Sequence, residues 1–88
     1  MPPREQHDDA IPLTQANVDD EVMLVSLEGG RELQLRMAEL GLIAGVQFRI
    51  LNKGQPGPFI ILLKQTRLVL GRGMIESVLV RPVPTTND

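Results

Sequence analysis

Apolar residues recur along this chain in short bursts, never in a long run. Glu21 to Leu27 alternates loosely and is rich in Val, Met and Leu, which predicts a strand. Gly29-Gly30 breaks it. In Arg31 to Leu40, Leu33, Met37 and Leu40 fall at i, i+4 and i+7, one face of an amphipathic helix. Gly41 follows the last periodic position, where a left-handed cap favours glycine, and Gly45 suits a tight turn into the next strand. Val46 to Lys53 then alternates strictly: Val46, Phe48 and Ile50 against Gln47 and Arg49. Gly54 to Pro58 is a loop by composition, and Phe59 to Leu63 is an apolar run short enough to be a strand buried on both faces. Arg67 to Leu70 pairs back if Lys64 to Arg67 turns tightly. After Gly71-Arg72-Gly73, Met74 to Ser77 is one helical turn, and Val78 to Arg81 a last strand stopped by Pro82. Upstream, Ile11 to Thr14 reads as a lead-in turn that drops Leu13 onto the core.

The sum is about five short strands with one inserted helix. Strands this short bury their faces best by curling into a small barrel, and an SH3-like barrel is the natural candidate. With 88 residues there is room for one domain. Its bounds are 11–83, with a disordered arm at 1–10 and a disordered tail at 84–88; both flanks are polar, proline-containing and without period. The core expected on this reading holds Leu33, Met37, Leu40 and Leu42.

Composition then narrows the chemistry. The absence of cysteine excludes a disulfide framework, a thiolate metal site and a cysteine nucleophile. The only aromatics are Phe48 and Phe59, which weighs against functions built on ring stacking. The single histidine, His7, lies in the arm, so Ser26 and Ser77 have no base in the body; an enzyme is not expected. His7, Asp8 and Asp9 form the only cluster with metal-ligand chemistry, a weak candidate because adjacent ligands in an unstructured arm do not preform a site. Gly71-Arg72-Gly73 lacks the lysine and hydroxyl of a phosphate loop. No cofactor is expected. No apolar run approaches a membrane helix and no signal segment opens the chain, so a cytoplasmic protein without membrane insertion is the expectation. Residues 1–28 hold seven acidic side chains against Arg4, whereas residues 29–83 hold eight basic against three acidic, which suggests a basic body able to meet an acidic partner.

The order of these motifs resembles ferrous iron transport protein A, the FeoA family. The segment R-E-L-Q-L-R-M-A-E-L-G-L-I-A-G-V (31–46), followed by R-L-V-L-G-R-G-M-I-E-S-V-L-V-R-P (67–82), carries the likeness, which spans about Ile11 to Pro82. Ala44 stands where the family often has proline, and Leu35 where relatives are usually polar or basic. The resemblance implies a cytoplasmic SH3-like barrel that acts with ferrous iron transport protein B, a membrane permease with a cytoplasmic G-protein domain. The same fold occurs as a module of iron-dependent repressors, so the fold alone does not assign the role.

Two functions follow. The first is a non-catalytic interaction module of ferrous iron uptake that docks on the permease and is drawn by it to the inner membrane face. Its contacts would be Leu35, Arg31, Arg36, Glu39, Arg72 and Met74; Leu35 lies about 160° from Met37 on the helix and points away from the core stripe. The alternative is a small-barrel nucleic-acid-binding or metal-responsive regulatory module. Against it stand the missing aromatics and a sequence pI near 5.3. Nucleic acid is therefore not expected as a partner; weak homo-oligomerisation is compatible with either reading.

Overall fold

A computed structural model of the chain describes residues 10–54 and 56–84. The expected arm and tail lie outside the described residues except for Ala10 and Pro84, and so do His7, Asp8 and Asp9. Six strands form one antiparallel sheet: β1 (Ile11–Pro12), β2 (Glu21–Leu27), β3 (Gln47–Lys53), β4 (Phe59–Leu63), β5 (Thr66–Leu70) and β6 (Val78–Pro82). Helix α1 (Arg31–Glu39) interrupts β2 and β3, and a short helix α2 (Arg72–Glu76) interrupts β5 and β6. The strand order is β1-β6-β2-β3-β4-β5, so the last long strand returns beside the first.

One extra residue in each of two strands bends this sheet. The register slips at Val25, between Leu24 facing Val80 and Ser26 facing Leu79, and again at Leu51, between Ile50 facing Ile61 and Asn52 facing Ile60. A bulge raises local twist and re-aims the strand beyond it. Two such bends curl the sheet into a small SH3-like barrel. Inside lie Val22, Leu24, Phe48, Ile50, Phe59, Ile61, Leu63, Leu70, Val78 and Val80, with Leu13, Met37 and Leu42 closing the ends.

Four expectations change. Ile11–Pro12 is a strand as well as a lead-in: it pairs with Val80 and Leu79 at the sheet's margin, where proline's missing donor is harmless. That makes six strands in place of five. β4 is not buried on both faces. Phe59, Ile61 and Leu63 are buried, but Ile60 and Leu62 are half-buried because the barrel wall has its core on one side only. Leu40 is 37% exposed and is not part of the core. The helix ends at Glu39, and the chain then swings so that the Leu42 N–H donates to the Met37 carbonyl at 2.9 Å. Leu42, 1% exposed, takes the core position that periodicity assigns to Leu40. Leu33 packs against the core from the edge, half-buried.

Gly41 and Gly45 both sit in the left-handed region, with φ of +93° and +97°. Gly41 does so directly after the helix, where its N–H donates to the Ala38 carbonyl at 2.9 Å. The tight turn between β4 and β5 has no glycine. Lys64 adopts φ +59° there, and the closing pair is Leu63 with Thr66.

Candidate interaction surface

Helix α1 is a polar excursion from the barrel, held down by few residues. Its sequence R-E-L-Q-L-R-M-A-E buries Met37 fully and Leu33 in part. Its start is tied to the end of β2 by Gln34, whose Nε2 donates to the carbonyls of Leu27 at 3.2 Å and Gly29 at 3.3 Å. With Met37 inward, the periodicity of the helix forces Leu35 outward, and it is 58% exposed. Arg31 and Glu39 sit one turn before and one turn after it, so the three share a stripe along the exposed face. Ala38 and Arg36, also exposed, flank that stripe. Leu35 thus lies between a cation and a carboxylate. The Glu32 to Arg36 spacing favours a helix ion pair, but among the described residues the ion pair formed is Arg49 to Glu21, at 3.3 Å.

Past the helix, Ile43 is 55% exposed and extends the apolar character of this end. A shallow groove of ≈ 290 Å³ runs between Leu40, Val46, Leu63 and Leu68. Sequence reading misses both features. Ile43 belongs to a turn with no period, and the helical stripe assigns Leu40 to the core.

The other two expected contacts lie elsewhere. Arg72 lines a separate cleft of ≈ 470 Å³ with Thr14, Lys53, Phe59, Leu70 and Glu76, and no residue of α1 lines it. Met74 is half-buried and packs against the core from α2. The fold therefore brings together Arg31, Leu35, Arg36 and Glu39, and does not join Arg72 and Met74 to that face. A link does exist between the two helical segments: the Glu28 N–H donates to the Ser77 carbonyl at 2.7 Å. Among the described residues no three His, Asp or Glu side chains converge on a point where a metal ion could sit, and no helix is long and apolar enough to cross a membrane.

The barrel, its inserted helix and the cap at Gly41 can be set beside known proteins. The profile of the FeoA domain matches residues 11–82. The chain belongs to the FeoA domain family. That makes it a small protein of a family tied to ferrous iron transport. The crystal structure of an iron uptake regulatory protein (FeoA) is similar at 27% identity and TM-score 0.75, covering 84% of this chain and 99% of that one. The FeoA protein of Chlorobium tepidum is similar at 18% identity and TM-score 0.74, covering 88% and 74%. The IdeR of T. acidophilum shares the fold at 13% identity and TM-score 0.77; the match covers 94% of this chain but 36% of that one. No curated protein sequence matches the chain.

Proposed function

We propose that this FeoA domain is a non-catalytic interaction module of ferrous iron uptake that docks on the cytoplasmic part of a ferrous iron permease and tunes its transport or its GTPase cycle. The observation that carries the reading is the FeoA profile match across residues 11–82, nearly the whole described domain. The exposed face of α1 supports it. An aliphatic residue between Arg31 and Glu39 combines an apolar contact with charges of both signs, which set orientation and exclude wrong partners. Recognition of this kind needs neither a nucleophile nor a cofactor. Arg72 serves, on this reading, as a second, separate contact, while Met74 acts by holding α2 on the barrel.

The likeness to IdeR, at 13% identity and 36% of that chain, shows a shared fold and gives no support to a repressor-like role. The test is a pull-down of the purified chain with the permease's cytoplasmic domain, with and without guanine nucleotide. The expected result is retention of the chain on the permease domain. Failure to bind in any nucleotide state overturns the reading.

A further inference from the structure

Strand β5 ends the sheet. It pairs with β4 on one side, and among the described residues nothing pairs with it on the other. The two-residue turn closed by Leu63 and Thr66 sets which groups that free side presents. In such a hairpin the closing pair exchanges both hydrogen bonds, and bonded and non-bonded pairs alternate from there. Thr66, Leu68 and Leu70 therefore turn their N–H and C=O toward β4, and Arg67 and Val69 turn theirs away. Outside the β4 ladder, no backbone hydrogen bond among the described residues engages 66–70.

Side chains add chemistry to this row of backbone groups. Arg67 and Val69 point to the outer face, alternate to Leu68 and the buried Leu70, and among the described residues Val69 is the most exposed large apolar one at 62%. Lys64 stands at the turn, also exposed. Neither Lys64 nor Arg67 has a carboxylate within ion-pair distance among the described residues. Cations on an edge strand disfavour pairing with a like strand. The symmetric register that uses all the outward groups of two copies faces Arg67 with Val69, placing both arginines diagonally on one face. The same cations attract a strand that carries carboxylates.

We infer that the free edge of β5 is a strand-addition site for an extended acidic segment of a partner protein, with a carboxylate beside Arg67 and an aliphatic side chain beside Val69. Main-chain hydrogen bonds would hold the segment, and the alternating side chains would select it. This deepens the reading of the chain as an interaction module by naming a second surface, distinct from α1, and the chemistry of what it takes.

The test uses the full chain, 15N-labelled, and two blocked heptapeptides of alternating threonine and valine that carry either two glutamates or two lysines. The expected result is that the glutamate peptide shifts the amides of 66–70, and that the lysine peptide binds at least about tenfold more weakly. Val69→Pro removes one outward N–H at an edge position where proline is tolerated, and should abolish those shifts while the rest of the spectrum stays folded. Arg67→Glu keeps the test decisive should the proline variant unfold: it should reverse the preference between the two peptides. No shift with either peptide, shifts centred on α1 or on the Arg72 cleft, or an unchanged preference in Arg67→Glu would overturn the inference. So would a dimer in sedimentation that Val69→Pro disperses, since a second copy would then occupy the edge. If the permease domain fails to bind the chain but the glutamate peptide still binds at β5, the permease reading falls and the strand-addition site stands.

Discussion

At the scale of single residues, backbone conformation decides more than side-chain identity. Gly41 holds φ +93°, and a Cβ there would lie 3.2 Å from Leu63 Cδ2. Gly41→Val therefore costs at least about 1–2 kcal/mol from the left-handed backbone alone. Gln34→Ala is the natural comparison, yet it is not silent. On the helical wheel Gln34 projects sideways, but its amide holds two carbonyls at the start of α1. Its loss should cost about 0.5–1.5 kcal/mol. Urea unfolding of both variants checks this: a loss below about 1 kcal/mol for Gly41→Val would mean the helix does not end where described. Lys64 offers the opposite case. It accepts a left-handed φ that disfavours a side chain by about 1–2 kcal/mol. Glycine relieves that and gives back about 0.5–1 kcal/mol in unfolded-state entropy. Lys64→Gly is thus expected to raise stability by about 0.5–1 kcal/mol, seen as a higher urea midpoint with an unchanged slope.

At the scale of elements, local pattern was enough wherever a period repeats. The strand at Glu21–Leu27, the helix from Arg31, and the strand ending at Lys53 all follow from spacing and from the glycines around them. The outward phase of Leu35 follows as well, since Met37 fixes the inward side. Pattern failed where geometry depends on distant partners. Two residues at Ile11–Pro12 carry no period, and only β6 makes them a strand. Leu40 fits the stripe but lies past the last helical residue, so the turn decides its exposure and Leu42 takes the buried place. Leu42→Ala should therefore cost about 2–4 kcal/mol by emptying a fully buried position, and Leu40→Ala under about 1 kcal/mol. Thermal or urea unfolding separates the two, and equal losses would return Leu40 to the core. The sequence offers Arg72 and Met74 as partner contacts alongside the α1 residues without saying whether they share a face. Their separation from it depends on which strands α2 connects, which spacing does not reveal.

Across the whole molecule, folding sets part of the acidic first third beside the basic body. β2 lies beside β3, so Glu21 meets Arg49 across the ladder, and charges far apart in sequence are interleaved on one wall. That pair is exposed, with half of the arginine side chain in water, so Glu21→Gln should lower stability by no more than about 1 kcal/mol. Among the described charges that form no ion pair are those of the stripe around Leu35 on α1 and the cations along the β5 edge. Both are surfaces suited to recognition.

The most direct measurement is a melting curve of Leu35→Glu paired with its titration against the permease's cytoplasmic domain. A residue 58% exposed on α1 can take a charge without unfolding the barrel, so the melting temperature should stay within about 3 °C of the wild type. An apolar contact at the centre of the docking face would be lost, and binding should weaken by about 1.5 kcal/mol or more, roughly tenfold. A folded variant that binds the permease domain as tightly as the wild type would contradict the assignment of this face, and a variant that no longer folds would contradict the phase of the helix.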